Sequence, residues 1–159
     1  MLYLIRHGQA SFSSDNYDKL STLGEQQSQL LGEELASMKL DGMPVVRGSM
    51  LRHQQTCELA TQHFKASPDT KVHNDARWNE YEHQHILSCY DSRFATPAQM
   101  KAHLMQSADP KAAFQQAFMG AMKRWMSGRH DSDYHETWGH FTARVLAAFE
   151  TVCTTTPNA

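Results

Sequence analysis

The residues best suited to chemistry lie near the amino terminus, where Arg6, His7 and Gly8 directly follow an apolar run over 2–5. An imidazole nitrogen can act as a nucleophile. A guanidinium beside it offers fixed positive charge and a planar fork of donors that matches phosphate oxygens. Gly8 lacks a Cβ, so the backbone there can turn sharply or approach a ligand closely. Together these residues predict phosphoryl transfer through the ring of His7.

A short strand is expected to position these residues. The run over 2–5 is apolar or β-favouring, which is typical of a short buried strand. Open α/β sheets bind their ligands at the carboxyl ends of the strands. Arg6 and His7 would emerge at that end of the predicted strand.

The rest of the first half alternates predicted helices and strands. The first helix begins at a capping box, in which the hydroxyl of Thr22 precedes Glu25 by three residues. This alternation predicts a parallel sheet. In chain order the elements are a helix over 22–39, a strand over 44–48, a helix from about Met50 through Phe64 to a stop before Pro68, and a strand over 71–73.

The second half is predicted to be helical. Thr96 and Asp109 each stand immediately before a proline, the order expected at a helix start. Apolar residues recur at helical spacing over about 110–127 and again over about 135–153, with a polar loop between them. These stripes are interpreted as core rather than as cofactor contacts.

Composition limits the class of protein. The chain has 159 residues, which predicts one domain over 1–159, and its net charge of −2 without a basic run argues against nucleic-acid binding. No apolar stretch has the length of a membrane span, so no membrane partner is expected. The three cysteines are scattered, which favours free thiols in a reducing cytoplasm.

Ten histidines raise the possibility of a metal site. None forms a recognised metal-binding spacing, so no metal is predicted, and solvated loop histidines are the favoured interpretation. The densest group is Glu82, His83, Gln84 and His85, with His73 upstream and His130, His135 and His140 downstream.

Several motifs in order resemble the histidine phosphatase superfamily, also called the phosphoglycerate mutase-like family. They are Leu-Ile-Arg-His-Gly at 4–8, Tyr-Asp-Lys-Leu-Ser-Thr-Leu-Gly at 17–24 and Gly-Ser-Met-Leu-Arg-His-Gln-Gln-Thr at 48–56. The segments over 6–12, 79–83 and 134–138 resemble its small bacterial phosphatase branch. The resemblance covers about 2–152.

The resemblance implies roles for individual residues. His7 would be the phosphorylated nucleophile, and Glu80 the proton donor, with Glu82 as the alternative donor. The expected phosphate ligands are Arg6, Arg52, Gly8 and Ser13. Many members carry serine in place of Gly48 and asparagine in place of Ser13, which leaves phosphate contacts at these two positions open.

The resemblance also implies a fold and an activity. The fold is a three-layer α/β/α domain with a mainly parallel sheet, in which a helical insertion over 90–134 covers the mouth of the site. The activity is cofactor-independent hydrolysis of a phosphomonoester on a small phosphorylated metabolite or phosphoprotein. Asn16-Tyr17-Asp18 stands where mutases carry a Gly-Trp segment, which favours hydrolysis over isomerisation.

Two alternatives to the hydrolase remain open. One is a mutase-type phosphotransferase, and the other is an inactive phosphate-binding module. In the family a further strand with the second pocket histidine follows the last helix. We therefore expect the chain to be truncated at its carboxyl terminus, either as a fragment of a longer polypeptide or as a chain that a partner completes. The oligomeric state is left open.

Overall fold

The computed structural model describes residues 2–11, 18–40, 42–63 and 72–155. They form two compact units, one comprising Met1–Asn79 with Ala147–Ala159 and the other Glu80–Leu146. The predictions that concern Ser13, Phe64, Pro68 and Lys71 lie outside the described residues.

Six helices and two short strands account for the regular structure of the described residues. The strands are β1 (Val45–Arg47) and β2 (Val72–Asn74). The helices are α1 (Thr22–Ser37), α2 (Leu51–Ala60), α3 (His83–Tyr90), α4 (Pro97–Leu104), α5 (Pro110–Met126) and α6 (Trp138–Thr155). Single 3-10 turns cover Ala76–Trp78, Ser92–Phe94 and Asp131–Asp133.

The two strands confirm a parallel pairing in the first unit. β1 and β2 run parallel, with Val45 opposite Val72 and Arg47 opposite Asn74. Helix α2 supplies the crossover between them, as a parallel pair requires. The fold is mixed α/β and mostly helical, whereas the three-layer arrangement stays a prediction.

The buried strand predicted over 2–5 is wrong. The structure assigns these residues to no strand, and the side chains of Leu2, Leu4 and Ile5 are exposed, Leu4 by 69%. A strand needs a neighbour for its backbone hydrogen bonds, and among the described residues the sheet consists of β1 and β2 alone. Nearby, an isolated antiparallel bridge pairs Ala10 with Leu20.

Helix α1 confirms the predicted helix with its cap moved by one residue. The cap is Ser21 rather than Thr22, and the Ser21 hydroxyl accepts a hydrogen bond from the Gly24 amide over 3.1 Å. Gly24, Ser28 and Gly32 are buried at four-residue spacing, so they share one face of the helix. Small side chains on this face allow neighbouring backbone to approach α1 closely.

The second unit has its core around the apolar stripe predicted on α5. Trp125 and Leu87 are almost fully buried, and the indole Nε1 donates to the Glu136 carbonyl over 2.8 Å. Thr96 and Asp109 cap α4 and α5 through their side chains, as predicted. The remaining buried members of the cluster are Ile86, Phe94, Ala121 and Tyr134.

The prediction that the histidines after Glu82 lie in a solvated loop is wrong. His83 to His85 form the first turn of α3, and both histidines are half-buried. The ring of His85 stacks on His135 with centroids 3.6 Å apart, and its Nε2 accepts from the His135 amide. Packing against this distant residue, which the local sequence does not reveal, decides their environment.

Two further observations concern the chain as a whole. Cys57, Cys89 and Cys153 are free thiols, and burial raises the pKa of the Cys57 thiol. Across the described residues, every helix is too short or too polar to cross a bilayer.

Candidate active site

The ring of His7 is held in a defined tautomer. Its Nδ1 lies 2.6 Å from the carbonyl oxygen of Gly8, and because a carbonyl can only accept, Nδ1 carries the proton. The lone pair of the neutral ring is therefore on Nε2. His7 is half-buried, so its ring is held in place and is still partly accessible.

Arg52 meets the nitrogen that carries the lone pair. Its Nε donates to His7 Nε2 over 3.3 Å, and its side chain is almost fully buried. Arg52 lies in the first turn of α2, the turn that follows β1. A permanently charged donor thus lies directly beside the candidate nucleophile.

The Asp18 carboxylate neutralises the buried Arg52 guanidinium and caps the first turn of α2. One carboxylate oxygen accepts from Arg52 NH1 over 2.8 Å, and the other accepts from the Leu51 amide over 2.8 Å. The second contact satisfies one of the amide groups that a helix leaves unpaired at its start. The Asp18 side chain therefore both offsets the charge of Arg52 and holds Arg52 in position.

Thr56 joins the segment that carries His7 to α2. Its hydroxyl oxygen accepts from the Gly8 amide over 3.0 Å and donates to the Arg52 carbonyl over 2.8 Å. One residue earlier, the Gln55 side chain accepts from the Leu20 amide over 2.9 Å. Both bonds tie α2 to segments more than thirty residues away in sequence.

Gly8 is required by the closeness of α1. A Cβ at this position would lie 2.4 Å from the Gly24 carbonyl oxygen and 2.8 Å from the Ser28 hydroxyl, and both distances are impossible without movement. Gly8 is buried, as a residue pressed against a helix should be. Its lack of a side chain therefore serves packing of the His7 segment, and its predicted contact with phosphate stays a prediction.

A second imidazole lies beside His7. The ring of His53 lies 5.5 Å from that of His7, centroid to centroid, at a tilt of 41°. Gly48 makes room for it, since a Cβ there would be 2.2 Å from His53 Nδ1 and 2.7 Å from the Asn79 side-chain oxygen. The departure from serine at position 48 thus has a structural reason in this chain.

Three further residues were predicted for the site, namely Arg6, Glu80 and Glu82. Arg6 is exposed, and within the described residues no hydrogen bond joins it to the group around His7. Glu80 is exposed and begins the second unit. Glu82, the alternative proton donor, has its carboxylate 3.3 Å from His135 Nδ1 in that unit.

Sequence reasoning gave no role to Asp18, His53 or Thr56. Thr56 and Gln55 stand one turn after Arg52 within the motif over 48–56, which is a usable signal for a shared helix face. No local pattern identifies Asp18, because its partner Arg52 is 34 residues away. His53 would have been found only by pairing it with the glycine at position 48.

Comparison with known proteins identifies the family of the chain. The model of the histidine phosphatase superfamily (branch 1) matches residues 2–112, a stretch that contains His7, Arg52 and Glu80. The chain belongs to the histidine phosphatase superfamily, branch 1. No curated protein and no solved structure matches it.

Proposed function

We propose that the protein hydrolyses phosphomonoesters through a phosphohistidine intermediate on His7. The observation that carries the proposal is the contact between the Arg52 guanidinium and His7 Nε2, the ring nitrogen that holds the lone pair. A phosphoryl group that arrives there meets a nucleophile and a charged donor together. Stabilising the charge on transferring oxygens is the main demand of this chemistry.

The reaction proceeds in two balanced steps. In the first, His7 Nε2 attacks phosphorus, the N–P bond forms and the ester P–O bond breaks. The leaving oxygen takes a proton from an acid, which leaves an alcohol. In the second, the same group takes a proton from water, the water oxygen attacks phosphorus, the N–P bond breaks and inorganic phosphate leaves.

We assign the proton transfers to Glu80. The alternative, Glu82, has its carboxylate beside the His135 ring, which supports the choice of Glu80. Glu80 directly follows Asn79, whose amide group exchanges two hydrogen bonds of 2.7 Å with Ser49. The exposed carboxyl group of Glu80 is accessible to a substrate and to water.

The phosphate oxygens are assigned to Arg52 first and to Arg6 second. Arg52 is already in place, whereas the exposed side chain of Arg6 would move onto the substrate when it binds. Gly8 and Ser13 complete the proposed set. Two guanidinium groups supply the positive charge that a metal ion provides in other phosphoryl-transfer enzymes, so the scheme requires no metal.

The substrate class is a small phosphorylated metabolite or a phosphoprotein, and no nucleic acid or membrane takes part in the scheme. Three free thiols suit a reducing compartment, which supports a cytoplasmic location.

Turnover of an aryl phosphate in EDTA tests the proposal. We expect hydrolysis that His7→Ala abolishes, together with an acid-labile, base-stable phosphoenzyme in the wild type. His63→Ala is the matched control, because His63 is exposed in the turn that follows α2 and takes part in none of the contacts described above. Binding of phosphate or vanadate without turnover would favour the inactive module instead. Stimulation by a bisphosphorylated sugar acid would favour the mutase.

A further inference from the structure

The geometry points to His53 as a second phosphoryl-binding imidazole, which donates a hydrogen bond to the group carried on His7. This inference rests on the proposed function, since it assigns a further ligand at the same site. His53 immediately follows Arg52 in the first turn of α2, so the element that positions the guanidinium positions this ring as well.

The first observation is the place made for the ring. Gly48 is buried, and the space that its Cβ would occupy is taken by the imidazole, whose Nδ1 is itself buried. Even alanine at position 48 would place its Cβ 2.2 Å from Nδ1. The turn between β1 and α2 therefore accepts this ring position only because residue 48 is glycine.

The second observation is the distance to the nucleophile. Ring centroids 5.5 Å apart place His53 within reach of a phosphoryl group bonded to the His7 ring, because such a group extends outward from the ring edge. Arg52, which shares the first turn of α2 with His53, donates to His7 Nε2. A phosphoryl group on Nε2 would then lie between a guanidinium and a second imidazole.

The third observation is the balance of charge. Within the unit that carries His7, the ionisable groups facing one another here include Arg52, His53 and the Asp18 carboxylate, which pairs with Arg52. The polar neighbours at the turn are the Gly48 backbone and the Asn79 side chain. The Asp18 carboxylate offsets the Arg52 guanidinium, so a dianionic phosphate needs further donors, and an imidazole supplies an N–H in its neutral and charged forms alike.

The affinity for inorganic phosphate tests the inference without requiring turnover. We expect His53→Ala to weaken phosphate binding at pH 7, followed by NMR titration, about tenfold, which is the loss of one hydrogen bond to a charged group. His53→Gln keeps a donor and should recover part of the loss. His63→Ala, in a histidine outside the site, should bind phosphate as the wild type does. Unchanged affinity in His53→Ala would overturn the inference.

A double-mutant cycle with Gly48 separates ligand contact from a structural role. Gly48→Ala should displace the ring and weaken phosphate binding as much as His53→Ala does, and the double variant should be no weaker than either. If the losses of phosphate affinity in the two single variants added up in the double variant, the His53 ring would not act from the space over Gly48. Urea unfolding of each variant confirms that the comparison is made between folded proteins.

The two proposals fail in distinguishable ways. Absence of a His7-dependent phosphoenzyme in the wild type would end the proposed hydrolase, while the phosphate titrations would still report on His53. Conversely, normal turnover together with unchanged phosphate affinity in His53→Ala would leave the hydrolase intact and remove His53 from its site.

Discussion

At the scale of single residues, the site depends on how each hydrogen-bonding group is used. The Gly8 carbonyl accepts a hydrogen bond from His7 Nδ1–H, which leaves the lone pair on Nε2 for Arg52 and for substrate. Asp18 divides its two oxygens between the Arg52 guanidinium and the Leu51 amide. A substitution can therefore remove the charge of Asp18 and keep the oxygen that caps the helix.

Asp18→Asn is expected to impair activity more than stability. The amide oxygen can still cap the helix, but the buried Arg52 guanidinium loses its carboxylate, so we expect a fall in kcat/KM of about tenfold or more. Asp18→Ala removes both contacts and should lower the unfolding free energy further, by about 1 kcal/mol for the cap alone. Urea unfolding and steady-state kinetics measure the two effects. Equal loss of stability in both variants would contradict the division of roles.

At the scale of elements, α2 organises the site because its first turns carry Arg52, His53 and Thr56. Arg52 and Thr56 are four residues apart and lie on one face of the helix, where Thr56 is bound to the His7 segment. In the second unit a much shorter element uses a comparable device. Asp91 caps the 3-10 turn Ser92–Phe94 and binds the Arg93 side chain through both oxygens.

The Asp91 contact predicts a pH-dependent stability. Side-chain hydrogen bonds from Arg93, followed by its backbone amide, lower the pKa of Asp91 to about 2. Because the folded pKa lies below the ordinary value of about 3.9, the contribution is complete above that value and is lost as the pH falls toward 2. The difference in unfolding free energy between wild type and Asp91→Asn should therefore shrink between pH 4 and pH 2, measured by urea unfolding.

Arg93→Gln provides the control for this effect. It leaves the Asp91 carboxyl group in place and removes the cation that depresses its pKa. The contribution of Asp91 to the change in unfolding free energy between pH 4 and pH 2 should therefore mostly disappear. If the difference in unfolding free energy between wild type and Asp91→Asn were as large at pH 2 as at pH 4, the assignment would be wrong.

At the scale of the whole molecule, ligand binding and stability are linked. A ligand that binds only the folded protein raises the unfolding free energy by about 2.7 kcal/mol at one hundred times its dissociation constant. We expect inorganic phosphate to stabilise the unit Met1–Asn79 in this way, because His7 and Arg52 both belong to it. Arg52→Ala should lose this stabilisation at the same phosphate concentration, measured by thermal unfolding, whereas His63→Ala should keep it. Equal stabilisation of Arg52→Ala would show that phosphate binds elsewhere.

Much of the local structure and the superfamily followed from the sequence alone. The caps at Thr96 and Asp109 and the stripe that ends at Trp125 are signals within one or two turns, so they predicted α4 and α5 correctly. The parallel pair β1 and β2 followed from the alternation of strand and helix. The Arg-His-Gly and Arg-His-Gln-Gln-Thr motifs identified the superfamily, which the family match confirms.

Only the tertiary structure decided what those residues contact. It left the apolar residues after Met1 exposed and outside any strand, because a strand depends on a neighbour that the local sequence does not specify. It paired Arg52 with Asp18 across 34 residues and placed the His53 ring over Gly48. Helix starts depend on interactions within a few residues, whereas a buried charge pair and a ring position depend on which distant segments pack together.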